Sequence, residues 1–199
     1  MANGNAHDYV RNNDVSPIRL LIGVASGLCY LHAHNPHPIY HGNLRGHNVL
    51  ISDGGQALLT DFGLSQLLES SFVLENNAPH PRSVNWTSPE HLDDFKGSAE
   101  GDVWAFGMTA LELFTRSYPF HDIQSSTELK QRIRQGPPDR PSDGAVCSRL
   151  TDEWWNILSS CWECNPRLRP STEEIGRKVV DEQVRAMWLS GSDVLQLFQ

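Results

Sequence analysis

Between Asp102 and Phe114 the chain places large apolar side chains at Val103, Trp104, Phe106, Met108, Leu111, Leu113 and Phe114. On a helix these positions surround the cylinder instead of forming one stripe. A helix that is apolar on every side has to be covered on every side. A bilayer would need roughly 18 to 20 consecutive apolar residues, and no stretch of the sequence approaches that. The cover must therefore come from the rest of the chain. With 199 residues and 39% hydrophobic content, there is enough chain for one packed domain built around this helix and little more.

The flanking segments read as that cover. From Val15 to His34, Ile18, Leu21, Ile22, Ala25, Leu28 and Leu31 recur at three- and four-residue steps, the period of a helix with one buried face. Ser16-Pro17 suits its start, and Asn35-Pro36 with Pro38 ends it, leaving Ile39 to Arg45 extended or looped. Asn48 to Ile51 and Gln56 to Thr60 read as two short strands around the reversal Ser52-Asp53-Gly54-Gly55. The stretch from Asp61 to Glu90 is polar, proline-bearing and longer than a connection requires. Further helices are expected over Ser126 to Gln135, Thr151 to Cys161 and Ser171 to Arg185, with polar caps at Thr151 and Ser171.

Four motifs lie on this frame in a fixed order. They are His41-Gly42-Asn43-Leu44-Arg45-Gly46-His47-Asn48, then Asp61-Phe62-Gly63, Ser88-Pro89-Glu90 and Asp102-Val103-Trp104-Ala105-Phe106-Gly107, with Cys161-Trp162 and Arg169-Pro170 closing the set. In that order they resemble the catalytic loop, the metal motif, the end of the activation loop and the central helix of protein kinases. The nearest likeness is to the tyrosine-kinase-like group of serine/threonine kinases. The resemblance implies a mainly α fold with a small β-hairpin, the large C-terminal lobe of a kinase, over residues 1–184, followed by a tail over 185–199. It also implies ATP and Mg2+ as cofactors and protein Ser/Thr or Tyr hydroxyls as acceptors.

The implied roles agree with the chemistry. Phosphoryl transfer needs metal ions on the phosphates and an acceptor hydroxyl held in line, and Mg2+ takes oxygen ligands. Asn48 and Asp61 would supply those oxygens, and Arg45 would face the transferred phosphate. Met1 and Asn5 align with the end of the hinge, and with Asp8 and Leu50 they would border the nucleotide. His41, Phe62 and Asp102 would brace the loop, and Glu90 would pair with Arg169.

Two departures bear on activity. Asn43 stands where the family has its catalytic aspartate, and Gly42 replaces an arginine that reads a phosphorylated activation loop in many kinases. An amide can orient a hydroxyl but does not take its proton at neutral pH. The glycine-rich loop, strand lysine and helix glutamate of the small lobe do not occur in the sequence. Nucleotide binding is therefore expected to be weak or absent. Three readings stand in order of preference: a truncated product of a once active kinase, a pseudokinase acting as a protein-binding module, and an active enzyme of unusual arrangement.

Composition narrows the partners. A formal net charge of -8 argues against a surface that tracks nucleic-acid phosphates. Four cysteines are too few for a disulfide scaffold, and without a second pair Cys161 and Cys164 do not make a zinc site. A cytoplasmic protein is expected, with no membrane span. Its protein partners are not readable from the sequence. An apolar patch near Leu28, Leu50 and Phe62, on the face that meets the small lobe in kinases, is expected to drive self-association.

Overall fold

The computed structural model describes residues 3–12, 15–62, 84–94, 96–142, 144–147 and 149–190. Seven helices are assigned within them: α1 (Ala6–Asn12), α2 (Ile18–His32), α3 (Ala99–Thr115), α4 (Ser126–Gln135), α5 (Gly144–Cys147), α6 (Asp152–Cys161) and α7 (Thr172–Ser190). Strands β1 (Val49–Ile51) and β2 (Ala57–Leu59) form a two-stranded antiparallel sheet. The fold is the mainly α arrangement with one small hairpin that the sequence implies. No helix among the described residues is long and apolar enough to cross a membrane.

Helix α3 is the axis. Every residue from Asp102 to Phe114 is buried, as required of a helix apolar all round. The Ser98 hydroxyl caps its start by accepting from the Gly101 N–H at 2.9 Å. Arg116, at φ 61°, closes its end by donating its backbone N–H to the Glu112 carbonyl. Around this axis α2 buries Leu20, Leu21, Val24, Ala25, Leu28 and Leu31, the face predicted from its periodicity. Its first turn starts at Ile18 directly after Pro17, because proline suits the entry to a helix. Helices α6 and α7 complete the cover. The cap of α7 is reciprocal: Ser171 Oγ accepts from the Glu174 N–H at 3.2 Å, and the Glu174 carboxylate accepts from the Ser171 N–H at 2.8 Å.

Three expectations are corrected by the structure. Leu28 is only 1% exposed, so it belongs to the core and not to a surface patch. Its side chain lies on the face of α2 turned inward, at the same period as Leu21 and Val24. Asn48 falls in a 3-10 turn (Gly46–Asn48) ahead of β1 instead of opening the strand, because its side chain turns back to the catalytic-type loop. Helix α7 runs on to Ser190 instead of ending at Arg185, since neither Gly nor Pro occurs between Arg185 and Gly191.

Cys161-Trp162 does its work through packing. A Cβ at Gly107 would lie 2.6 Å from Trp162 Nε1 and 3.0 Å from Cys161 Cβ. The missing side chain is what lets α3 approach the end of α6. Burial pushes the Cys161 thiol up to about 12, so it is an inert core group. Gly107→Ala is therefore expected to lower stability by about 1–3 kcal/mol through overpacking. Urea denaturation reads this directly, and an unchanged midpoint would mean that α3 and Trp162 are not in this close contact.

Candidate active site

The loop from His41 to Asn48 lies along α3 and is held at both ends by buried carboxylates of that helix. At one end Asp102 accepts from the His41 N–H and the Gly42 N–H, each at 2.8 Å, and its Oδ2 lies 2.8 Å from His32 Nε2. At the other end Glu112 Oε2 accepts from the Gly46 N–H and from Trp86 Nε1, each at 2.9 Å. Glu112 Oε1 meets His7 Nδ1 at 2.7 Å. Both carboxylates are buried, and each is met by several donors, the condition under which a buried charge is tolerated.

Glycines shape the loop in this setting. Gly42 has φ 72°, a left-handed conformation costing a residue with a Cβ about 1–2 kcal/mol. The substitution of the family's arginine thus relieves backbone strain at the point where Asp102 pins the chain. Gly46 sits so close to Glu112 that a Cβ would lie 2.6 Å from its Oε1.

Within the loop, Asn43 donates its backbone N–H to His41 Nδ1 at 3.3 Å, and its carbonyl accepts from Asn48 Nδ2 at 2.7 Å. This leaves Asn48 Oδ1 as its remaining oxygen. The hairpin register pairs Val49 with Leu59, and the Thr60 N–H donates to the Asn48 carbonyl at 3.0 Å. Asn48 and Asp61 therefore stand at the same end of the hairpin. Asp61 is exposed, at φ 57°, a left-handed conformation that a short polar side chain tolerates better than most. An amide oxygen and an exposed carboxylate, which also accepts from the Thr60 hydroxyl at 3.4 Å, suit a hard divalent cation when brought to one end.

The remaining predicted positions divide. His41 is fully buried and its ring meets that of Phe62 edge-on at 6.5 Å. Burial holds its imidazole below the usual range despite the nearby Asp102 charge. Among the described residues neither its Nε2 nor the buried Nε of Arg45 has a hydrogen-bond partner. Phe62 is 46% exposed. Asn5 caps α1, with Oδ1 accepting from the Asp8 N–H at 3.0 Å and Nδ2 donating to the Asp8 carboxylate at 2.8 Å. Asn5 also bridges the backbone of Leu50, which is half-buried. The geometry thus ties Asn5, Asp8 and Leu50 together beside the hairpin. Met1 and Gly63 lie outside the described residues.

Glu90 and Arg169 form a bidentate pair, at 2.5 Å and 2.9 Å. The guanidinium also donates to the carbonyls of Glu163 and Glu100 and lies 5.0 Å over the Trp104 ring. The turn holding Glu90, the start of α3 and the approach to α7 are joined in this way.

This is the constellation of a kinase large lobe, from the strapped loop to the Glu90–Arg169 tie. The family of protein tyrosine and serine/threonine kinases matches residues 1–179. The chain belongs to the protein kinase family. A probable serine/threonine-protein kinase of Dictyostelium discoideum is 32% identical over 157 residues, covering 78% of this chain and 16% of that protein. The tyrosine-protein kinase FRK of Homo sapiens is 27% identical over 190 residues, 91% of this chain and 36% of its own length. A probable inactive receptor kinase of Arabidopsis thaliana is 32% identical over 187 residues, 88% of this chain and 27% of its own length. The chain thus spans about a sixth to a third of these kinase relatives.

Sequence reasoning missed Glu112, His7 and His47. A single acid within an apolar helix gives little signal, and its partners lie 105, 66 and 26 residues away in sequence. The two imidazoles and Glu112 offer metal-type donors within 4.8 Å of one another. However, the rings stack at 4.7 Å with planes 22° apart, so their in-plane lone pairs run side by side and do not converge on one ion. Asn85, beside Trp86, donates its amide to the Pro119 carbonyl at 2.6 Å.

Two outcomes follow. Gly42→Ala is expected to cost about 1–2 kcal/mol by forcing a Cβ into the left-handed region, and thermal unfolding reads it; an unshifted transition would mean that φ at residue 42 is negative. Arg169 is buried but Glu90 is partly exposed, its side chain 28% accessible, so the pair is not the fully buried one expected. Arg169→Ala is expected to cost about 1.5–3 kcal/mol, the usual contribution of hydrogen bonds to a charged group. Burial alone would raise the Glu90 carboxyl, but hydrogen bonds from Arg169 and the backbone hold it below the usual carboxylate range. A depressed carboxyl contributes stability above its unfolded pKa that is lost as pH falls through the folded value. The parent should therefore lose more stability on acidification than Arg169→Ala, and equal losses would remove the pair from the account.

Proposed function

We propose that this chain carries a protein-kinase fold whose phosphoryl-transfer step is impaired at the base. Asn43 carries the reading: it occupies the position of the proton acceptor in a loop whose other fixtures are in place. ATP and Mg2+ are the family's reactants. Asn48 Oδ1 and the Asp61 carboxylate would hold the metal, which when bound neutralises phosphate charge. Arg45 would add a cation beside the transferred group. Asn43 could orient an acceptor hydroxyl, but the proton would have to leave without a side-chain base, a loss of roughly 10²- to 10⁴-fold in rate.

Positioning is a second requirement, met in kinases by a glycine-rich phosphate loop and a strand lysine, neither of which stands among these 199 residues. Positioning can supply roughly 7–11 kcal/mol of a barrier. A base restored beside a nucleotide that is not held gains little. An intracellular location fits the free thiols of Cys29, Cys161 and Cys164. Self-association through the face carrying exposed Phe62 remains part of this reading.

A non-catalytic protein-binding module in signalling is the second reading. It is favoured by the relative that is itself described as probably inactive. In that case the exposed face of α4 and the segment before Glu90 would make the contacts.

The purified chain is expected to bind magnesium-ATP weakly in calorimetric titration and to transfer no phosphate to itself or to a generic protein. Asn43→Asp should not restore transfer, whereas the same substitution in a chimera bearing a related kinase's small lobe should. Transfer by the unmodified chain above an Asp61→Ala control would refute the impaired reading.

A further inference from the structure

Away from the loop, the α3–α4 and α4–α5 connections enclose a cavity of about 600 Å³, within the range of small-molecule sites. Leu111, Phe120, Ile123 and Val146 supply apolar wall, and Arg132 of α4 reaches in among them. The guanidinium lies over the Phe120 ring at 5.2 Å and donates to the carbonyls of Gly136 and Pro137 at 3.1 and 3.0 Å. These contacts fix its plane from one side. The side chain of Arg132 is 25% exposed, so this is a cation partly withdrawn from water and set into an apolar wall.

Its acidic partner is of a different kind. Asp139 meets Arg132 Nη2 at 3.3 Å, through one oxygen, and its side chain is 100% exposed. A fully hydrated carboxylate held by one long contact is bound weakly. Guanidinium groups bind carboxylates best in a two-bond fork, and more strongly where water is scarce. A better-seated carboxylate could therefore take the place of Asp139 without disturbing the carbonyls that anchor Arg132.

We propose that this cavity is a binding site for a small amphipathic carboxylate. The acid group would exchange with Asp139 on Arg132, and the apolar body would lie against Phe120 and Ile123. The site is separate from the loop carrying Asn43, and the inference does not depend on whether that loop transfers phosphate. Asp139 then acts as a built-in competitor that occupies the cation when the cavity is empty.

The competitor role makes the test directional. 4-Phenylbutyrate, titrated into the full chain and followed by amide chemical shifts and calorimetry, should perturb Phe120, Ile123, Arg132 and Asp139. 4-Phenylbutanol, with the same body and no charge, should bind roughly tenfold more weakly or not at all. Asp139→Asn should bind the acid about threefold more tightly, because the weak internal competitor is gone. Arg132→Gln should abolish binding, and Arg132→Lys, which keeps the charge and loses the fork, should weaken it if the glutamine variant does not fold. Equal binding of acid and alcohol would overturn the proposal, as would an Asp139→Asn variant that binds the acid no more tightly than the parent. The exposed position of Asp139 ensures that this variant keeps the fold.

Discussion

Two carboxylates buried in one helix organise everything around the loop. Asp102 and Glu112 stand ten residues apart on α3, about 15 Å along its axis. Between them they hold the N–H groups of His41, Gly42 and Gly46. Burying either acid in this core without those donors would be costly. The dependence runs both ways: the loop keeps its path because the acids demand partners, and the acids are tolerated because the loop supplies them. His32 of α2 joins at Asp102, and His7 of α1 and Trp86 join at Glu112. Four other parts of the chain thus meet on one helix.

The frame of the site does not rest on the side chain at position 43. Asn43 is aspartate's near-isostere, and its backbone is engaged on both sides, through His41 Nδ1 and Asn48 Nδ2. Replacing the base leaves that frame intact, since none of these bonds uses the lost carboxylate. Gly42 acts in the same direction, accepting a left-handed backbone that a larger residue would adopt only under strain. A chain with these two residues can hold the kinase loop geometry while lacking its proton acceptor. Shape and reactivity are carried by different atoms here, which is why family membership by itself does not assign activity.

Much of the architecture was legible from the sequence because it is written in local periodicity. The all-round apolar run of α3, the one-sided pattern of α2, the hairpin's glycine turn and the caps at Thr151 and Ser171 are each specified within a few residues. The motif order placed Asn43, Asn48, Asp61, Glu90, Asp102 and Arg169 on this frame. Periodicity put Leu28 on the buried face, where it lies; its place in an exposed patch came from the likeness to the kinase lobe interface. The extension of α7 to Ser190 was missed because polar and apolar residues mix there without a breaker.

The sequence by itself determined the elements and the family, since each is a matter of residue type at a position. Only the tertiary structure decided how the acids of α3 are satisfied, which glycines are required by close approach, and that Arg132 lines a cavity beside an exposed acidic partner. Those outcomes depend on groups brought together from 7 to 105 residues apart. A buried charge or a missing Cβ has no local signature. Its meaning is set by whatever the fold places against it.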